Sequence, residues 1–271
     1  MPGVAVAATG LFGAAVLEGL AERREIDLVV TRPDRPAGRG RNKKAPPAKE
    51  AAKRLDLKVA QPERLTEFPG EARVVIVADY GVLIPEKLLT ERLWLNVHPS
   101  LLPRWRGPAP VERAIMAGDR ETGVTVHRTT PELDAGPIAA QRRFPIGPED
   151  DAGVVFERAR NVAVELLDEV FAEPTFVPQP EVGATYADKI TAADRELDWE
   201  APPEENLNKI RALSPHIGAR GLVEGRRLLV WRARPAREES LLVAGELELL
   251  EVQREGGKRM TVEEYVRGLR R

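Results

Sequence analysis

The chain has 271 residues, a length that favours one large domain or two domains of ordinary size. Its hydrophobic fraction of 42% and charged fraction of 31% exclude a disordered chain, and the lack of cysteine excludes disulfides, thiolate nucleophiles and cysteine-bound zinc. The formal net charge of −2 gives the whole molecule no attraction for nucleic acid.

The amino-terminal stretch MPGVAVAATGLFGAAVL carries no charged side chain. No lysine or arginine precedes its apolar run, so it predicts a strand that turns through glycines into a helix, and not a signal peptide. No uncharged stretch reaches the roughly 20 residues that span a bilayer. We therefore expect a cytoplasmic protein with no membrane partner, and separately we expect a monomer.

The first half of the chain alternates short apolar runs with amphipathic stretches, a pattern typical of a mostly parallel sheet covered by helices. The predicted strands are residues 3–8, 26–31, 57–60, 73–78 and 93–97. Helices are predicted over residues 12–23 and 45–55, and another is predicted to start at Pro110, because proline is favoured in a first turn. This order predicts the α/β fold class.

The second half begins with two further predicted strands, residues 123–128 and 138–146, and a closing helix over 154–172. Three prolines in PTFVPQPEVG then indicate a connector. We therefore predict a first domain over residues 1–173, a linker over 174–184 and a small β-rich domain over 185–271. The last domain is predicted to hold a helix at 206–213 and strands at 221–233 and 241–252.

Charge is concentrated in residues 31–54, where nine basic and two acidic side chains leave +7. Within it, PDRPAGRGRNKKAPP combines glycines with five cations, namely Arg35, Arg39, Arg41, Lys43 and Lys44. A flexible cationic segment of this kind can follow a phosphate backbone. The alternative is a solvated loop that joins a strand to a helix.

The stretch LNVHPSLLPRWRGPAP places an amide and an imidazole at the end of a predicted strand. Asn96 and His98 are two residues apart, so their side chains leave the same face of that strand. Ligands of open α/β sheets bind at the carboxyl ends of strands. Further along the chain, Asp134 stands near a glycine in a predicted turn between strands.

These three side chains suit acyl transfer to an amine. Attack on a formyl carbon creates an oxyanion that needs a hydrogen-bond donor, which Asn96 or a protonated His98 can supply. The attacking ammonium must lose a proton, which His98 can accept near neutral pH while Asp134 orients it or relays the proton. No covalent enzyme intermediate is needed.

Other interpretations of the same features remain open. An Asn-x-His pair is commonly structural, and Asp-x-Gly is commonly a turn. The other two histidines, His127 in mid-strand and His216 in the second domain, are too scattered to form a metal site with His98, so we predict no metal. The turn ATGLFGAA lacks the first glycine of the dinucleotide fingerprint, which disfavours a nicotinamide dehydrogenase.

The runs NVHPSLLPRWRGPAP, TGVTV, LDAGPI, PDRPAGRG and ADYGVLIP resemble the methionyl-tRNA formyltransferases. TYADKI, LDW and IRALSPHIGAR extend the resemblance over most of the chain. It implies a Rossmann-like formyltransferase domain followed by a small OB-like, β-barrel-like domain that binds tRNA. It also implies that Asn96, His98 and Asp134 are catalytic.

The resemblance further implies two ligands. The cosubstrate would be 10-formyltetrahydrofolate, held by two segments that comprise Tyr80, Gly81, Val82, Leu83, Ile84 and Pro85, and Ser100, Leu101, Leu102 and Pro103. The acceptor would be initiator methionyl-tRNA, whose acceptor end the loop of Arg35, Arg39, Arg41, Lys43 and Lys44 would approach. The activity implied is formylation of the methionine α-amino group for translation initiation.

This chain departs from the family pattern at several points. Pro99 stands where glycine is common, Asp79 stands where a small apolar residue is usual, and the first turn reads ATGLFG. The segment after Trp231 is shorter than usual, so we expect the C-terminal domain to lack one or two strands and to leave sheet edges exposed. Two alternative functions follow: formyl transfer to an amino sugar nucleotide, and folate or RNA binding without catalysis.

Overall fold

The computed structural model describes residues 3–37 and 42–269. The chain divides into two compact units, described here one at a time. The first unit comprises Met1–Pro110, Gly123–Phe144 and Phe156–Ala187, and the second comprises Val111–Thr122, Pro145–Val155 and Asp188–Arg271.

The first unit is built on a seven-stranded sheet. Its strands, in chain order, are β1 (Val4–Ala8), β2 (Ile26–Val30), β5 (Val59–Ala60), β6 (Val74–Ala78), β7 (Leu93–His98), β8 (Glu121–Arg128) and β9 (Ile138–Pro145). They lie in the spatial order β5-β2-β1-β6-β7-β8-β9, parallel from β5 to β7 and antiparallel between β7 and β8. This sheet confirms the predicted α/β class.

Helices cover this sheet: α1 (Leu11–Ala21), α2 (Pro47–Arg54), α3 (Glu86–Glu91) and α5 (Ala152–Ala172), while α4 (Pro110–Met116) follows β7. Strand β1, in the middle of the sheet, is buried on both faces. Its successive residues point to opposite sides of the sheet. Val4, Val6 and Ala8 belong to one apolar cluster, whereas Ala5 and Ala7 belong to another. Burial on both faces explains why β1 reads as a continuous apolar run.

A short hairpin between β2 and α2 was not predicted. Its strands are β3 (Arg35–Ala37) and β4 (Asn42–Lys44), with Arg35 opposite Lys44 and Pro36 opposite Lys43. Proline, asparagine and lysine are depleted in strands, so the local sequence gives little strand signal. The segment predicted as a flexible loop is thus ordered at both of its described ends. Arg39 and Arg41 lie outside the described residues.

The second unit contains a five-stranded antiparallel sheet and a helix, α6 (Pro203–Leu213). Its strands are β10 (Ala219–Val223), β11 (Arg226–Pro235), β12 (Val243–Ala244), β13 (Leu247–Arg254) and β14 (Arg259–Thr261). They pair in the order β10-β11-β13-β12, and β14 adds to β13. The predicted β-rich C-terminal domain is confirmed.

Two predicted strands in this unit were wrong in extent. Residues 221–233 form parts of two strands, because Glu224 and Gly225 adopt positive φ angles of 48° and 74° in a turn. Residues 241–252 are divided in the same way near Gly245, with a φ angle of 56°. The prediction also missed α7 (Val262–Arg267), whose start carries a Thr261–Glu264 capping box.

No helix in the described part of the chain is both long and apolar enough to cross a membrane.

Candidate active site

Strand β7 delivers Asn96 and His98 to the carboxyl edge of the first unit's sheet. The strand places them on one face because side chains alternate with a period of two. The neighbouring antiparallel strand β8 sets His127 opposite Asn96 and Thr125 opposite His98. The face that carries the predicted Asn-x-His pair therefore also carries a second histidine.

Asp134 reaches this face from the loop between β8 and β9. Its carboxylate Oδ1 accepts a hydrogen bond from Asn96 Nδ2 at 2.9 Å, and its Oδ2 lies 3.7 Å from His98 Nδ1. The backbone N–H of Gly107 donates to Oδ2 at 2.8 Å. The structure thus brings together the three side chains that the sequence singled out.

The turn around Asp134 combines a positive φ angle with a close approach of its backbone to β8. Asp134 adopts a φ angle of 47°, in the left-handed region that aspartate tolerates better than most residues. Two residues later, a Cβ on Gly136 would lie 1.8 Å from the Arg128 carbonyl oxygen. The Asp-Ala-Gly sequence therefore lets the loop lie directly against the end of β8.

His98 is held in one orientation by the loop that follows it. Its Nε2 lies 2.7 Å from the carbonyl oxygen of Trp105, which can only accept, so Nε2 carries the hydrogen. Trp105 has a φ angle of 64°, an unusual conformation for a bulky residue. The neutral ring therefore turns its unprotonated Nδ1 towards Asp134.

Burial and neighbouring charge set the protonation of this pair. Burial lowers the pKa of His98 from its ordinary value of 6.5, and the Asp134 carboxylate and the Trp105 carbonyl only partly oppose this. Burial raises the pKa of Asp134, but His98, His127 and the Gly107 N–H together outweigh it and hold this pKa at about 2. At neutral pH the site therefore contains a neutral imidazole beside a carboxylate.

The side-chain amide nitrogen of Asn96 is directed at two other residues of the site. Its Nδ2 donates to Asp134 Oδ1 and lies 3.1 Å from His127 Nε2. The other ring nitrogen of His127, Nδ1, lies 3.1 Å from the Arg128 carbonyl oxygen, so Nδ1 carries the hydrogen and Nε2 accepts. Both amide hydrogens of Asn96 therefore have partners, and donation to an oxyanion requires the exchange of one of them.

The first predicted folate segment follows β6 at the same sheet edge. Tyr80 and Ile84 are buried, and Gly81 has a φ angle of 62°. The Tyr80 carbonyl oxygen accepts a hydrogen bond from Thr9 Oγ1 at 2.8 Å, which fixes the segment to the end of β1. The Leu83 side chain is 84% exposed. Apolar side chains and backbone polar groups of this kind suit a flat heterocycle.

The second predicted folate segment, residues 100–103, follows His98 and is held by several hydrogen bonds. Thr125 Oγ1 donates to the Ser100 carbonyl oxygen at 2.7 Å and accepts from the Leu102 N–H at 3.2 Å. Gln141 Nε2 donates to the Leu102 carbonyl oxygen at 3.0 Å. The Leu102-Pro103 peptide bond is cis. Strands β8 and β9 therefore hold this segment beside the trio.

Three of the five predicted tRNA-binding cations lie within the described residues, on the hairpin that follows β2. Arg35, Lys43 and Lys44 are all exposed in the hairpin. Asp34, at its base, is paired with Lys49 at 2.8 Å. The charge of this carboxylate is therefore balanced by Lys49, and the three hairpin cations are exposed to solvent.

Comparison with known proteins identifies the family of this chain. Residues 3–171 match the family described as formyl transferase, and residues 189–246 match the formyl transferase C-terminal domain. Similar curated proteins include the methionyl-tRNA formyltransferases of Paracoccus denitrificans and Bordetella avium, each 39% identical to this chain. The first alignment covers 95% of this chain and 94% of the relative, and the second covers 97% of both. The chain belongs to the formyl transferase family.

Solved structures share the fold of this formyl transferase. HypX from Aquifex aeolicus in complex with tetrahydrofolic acid gives a TM-score of 0.70 at 19% identity, over 98% of this chain and 47% of HypX. This formyl transferase thus spans about half the length of HypX. An N-formyltransferase from Helicobacter canadensis, in complex with folinic acid and dTDP-3-aminofucose, gives a TM-score of 0.67 at 14% identity, over 96% and 100% of the two chains.

Several residues of this formyl transferase site escaped the sequence analysis. His127 had a signal, since it lies at an alternate position of a valine-rich strand. The sequence contains no signal for the roles of the Trp105 carbonyl and the Gly107 N–H, because these are backbone groups that nearly every residue carries. Gln179, which donates to the Asp134 carbonyl oxygen at 2.8 Å, was assigned to a linker. Across the described residues, no group of three or more histidine or acidic side chains has the arrangement of a metal site.

Proposed function

We propose that this chain transfers the formyl group of 10-formyltetrahydrofolate to the α-amino group of methionine on initiator tRNA. The proposal rests on the arrangement of Asn96, His98 and Asp134, in which a neutral imidazole nitrogen faces a carboxylate beside an amide donor. Attack of an amine on a formyl group needs a base and an oxyanion donor, and this site supplies both. The curated relatives' names favour methionyl-tRNA as the acceptor.

In this mechanism His98 Nδ1 accepts a proton from the attacking amine as the new nitrogen–carbon bond forms. The charged Asp134 carboxylate stabilises the resulting imidazolium, while the Trp105 carbonyl keeps the ring in place. Asn96 exchanges one of its present partners for the oxyanion. His98 then returns the proton to the folate nitrogen as its bond to the formyl carbon breaks, which leaves tetrahydrofolate and the formylated amine.

The proposal also assigns residues to folate binding, to tRNA binding and to each domain. Residues 80–85 and 100–103 hold the folate, and Arg35, Arg39, Arg41, Lys43 and Lys44 contact the tRNA phosphates. Residues 1–173 act as the catalytic domain, residues 174–184 join it to the rest, and residues 185–271 add affinity for tRNA. The enzyme acts as a monomer in the cytoplasm.

One assay tests the reaction and its acceptor. The purified chain is incubated with 10-formyltetrahydrofolate and methionine-charged initiator tRNA, and formylmethionine is measured after hydrolysis of the ester. Parallel reactions contain charged elongator methionine tRNA or a dTDP-linked amino sugar. The proposal predicts rapid product from the initiator tRNA and little from the other two acceptors. An Asn96→Ala variant serves as the control without the amide donor.

Each alternative has its own outcome in this assay. Product from the amino sugar, without product from the initiator tRNA, would replace the proposed acceptor. Binding of both folate and tRNA without any formylated product would indicate a binding protein. Wild-type turnover by the Asn96→Ala variant would overturn the assignment of the site itself.

A further inference from the structure

The segment between the two family matches is attached to the active-site loops. Val177 exchanges two backbone hydrogen bonds with Ile138, at 2.8 and 2.9 Å. The Arg106 N–H donates to the Thr185 carbonyl oxygen at 2.8 Å, and the Ala187 N–H donates to the Arg106 carbonyl oxygen at 2.7 Å. Residues 177–187 therefore form a strap along the site, although their prolines are typical of a connector.

Gln179 is the side chain of this strap that reaches the site. Its Nε2 donates to the carbonyl oxygens of Asp134 and Gly136, both at 2.8 Å. Its Oε1 accepts from Arg106 Nη2 at 2.7 Å and from Arg106 Nε at 3.2 Å. A primary amide has two donor hydrogens and two acceptor lone pairs, so Gln179 uses its full hydrogen-bonding capacity here.

The two loops that Gln179 joins are the loops that determine the state of the catalytic pair. Arg106 lies between Trp105, whose carbonyl fixes the His98 ring, and Gly107, whose N–H fixes Asp134 Oδ2. On the other side, Gln179 holds the backbone of Asp134 itself. Its four hydrogen bonds go to the Arg106 guanidinium and to two backbone carbonyl oxygens, so we expect its influence on catalysis to pass through these loops.

We propose that Gln179 is a positioning residue that fixes the distance between the Asp134 carboxylate and His98 Nδ1. This inference rests on the proposed function. Without the amide, the Asp134 loop and the Trp105–Gly107 loop are free to separate. A small increase in that distance weakens the charge interaction that supports the imidazolium, which slows proton transfer more than it weakens folate binding.

Substitutions at position 179 separate this role from simple packing. Gln179→Ala removes all four hydrogen bonds. Gln179→Glu keeps the pairing with Arg106 but places a carboxylate against two carbonyl oxygens, so it should release the Asp134 loop while retaining the size of the side chain. Glu181→Ala, at an exposed position of the same strap, is the matched control.

We expect both Gln179 variants to lower kcat on the order of tenfold with little change in the KM for 10-formyltetrahydrofolate. The pKa of His98, followed by NMR, should fall below its wild-type value in Gln179→Ala, because the Asp134 charge that raises it is displaced. Arg106→Ala should lower kcat as well. In the double variant of Gln179→Ala and Arg106→Ala, the fold-loss of kcat should be smaller than the product of the two single losses. Glu181→Ala should behave as wild type.

The outcomes distinguish this inference from the proposed function. If wild type and Glu181→Ala both fail to formylate methionyl-tRNA, the proposed function is wrong. If wild type is active, folded Gln179→Ala and Gln179→Glu keep wild-type kcat, and Gln179→Ala keeps the wild-type His98 pKa, the positioning role is wrong. A kcat loss that only follows the unfolded fraction, with an unchanged His98 pKa in Gln179→Ala, also overturns it.

Discussion

The amide of Asn96 donates to the carboxylate of Asp134 at 2.9 Å, across 38 residues of sequence. Strand β7 supplies the amide and the β8–β9 loop supplies the carboxylate. The Gly107 N–H and His98 occupy the other oxygen of the same carboxylate. Asp134 is therefore the point at which three separate segments of the site meet.

Substitution of Asp134 by asparagine should reduce turnover much more than folate affinity. The variant keeps the size of the side chain but loses the charge that stabilises an imidazolium at His98, and one of its two acceptor positions becomes a donor. We expect kcat to fall about 100-fold or more. Asp56→Asn is a control at an exposed aspartate that also has a positive φ angle. A kcat within a few-fold of wild type would contradict the role of Asp134.

The pKa of His98 should lie below its ordinary value of 6.5, because burial lowers it more than Asp134 raises it. NMR titration of the imidazole carbon-bound protons measures it directly, with His98→Asn used to assign the resonance. In Asp134→Asn the raising charge is gone, so the pKa should fall further. A midpoint above 6.5 in the wild type would show that the carboxylate dominates over burial.

Substitution of Gly136 by alanine should displace the loop that carries Asp134. The new Cβ would lie 1.8 Å from the Arg128 carbonyl oxygen, a distance that real contacts do not permit, so the loop must shift. We expect a kcat loss of roughly tenfold or more together with a lower melting temperature. Gly257→Ala, where the nearest atom lies 3.3 Å from the new Cβ, is the control. Unchanged kinetics would mean that the loop tolerates the shift.

Asp79 should make the fold less stable as the pH rises. Asp79 as a whole residue is exposed, but its carboxyl group lies over Gly10, and the loss of hydration there raises the pKa of Asp79 to about 6, against the opposing charge of Arg32. Because this pKa is above the ordinary value of 3.8, the folded state binds more protons than the unfolded state between about pH 4 and 6, and stability falls across that interval. Asp79→Asn should therefore have a higher melting temperature than wild type at pH 7.5.

The same comparison at low pH provides the internal check for Asp79. Below pH 4 the carboxyl is protonated in both states of the wild type, so the advantage of Asp79→Asn should vanish. Asp56→Asn, at another aspartate with a positive φ angle, should not reproduce this pH dependence. An advantage that is constant from pH 3.5 to 7.5 would assign the effect to packing.

Neutralisation of the hairpin should weaken the interaction with tRNA alone. The triple variant of Arg35, Lys43 and Lys44 to alanine should raise the KM for methionyl-tRNA and leave the KM for folate unchanged. Each lost phosphate contact should also reduce the slope of log KM against log salt by roughly 0.7 to 0.9. Lys58→Ala, at an exposed lysine outside the hairpin, is the control. An unchanged salt slope would exclude the hairpin from the tRNA contact.

Local sequence patterns were sufficient to predict the strands of the first sheet and the positions of Asn96 and His98 on β7. Each predicted strand of the first unit lies within two residues of the observed strand. The central strands β1 and β6 are the clearest in the sequence, because a strand buried on both faces must be apolar throughout. The common face of Asn96 and His98 follows from the period of two along a strand. The turns at Gly225 and Gly245 carry the glycine that positive φ angles favour, but they were missed because each glycine lies inside a longer run of strand-forming residues.

What the sequence determined by itself is the α/β class, the pair on β7 and the cationic segment, since each depends on residues that are neighbours along the chain. Only the tertiary structure decided the partners of Asp134: the Gly107 N–H, the His98 ring and the Gln179 amide. These contacts join residues 27 to 45 positions apart. They depend on where packing places each loop, which no local pattern encodes.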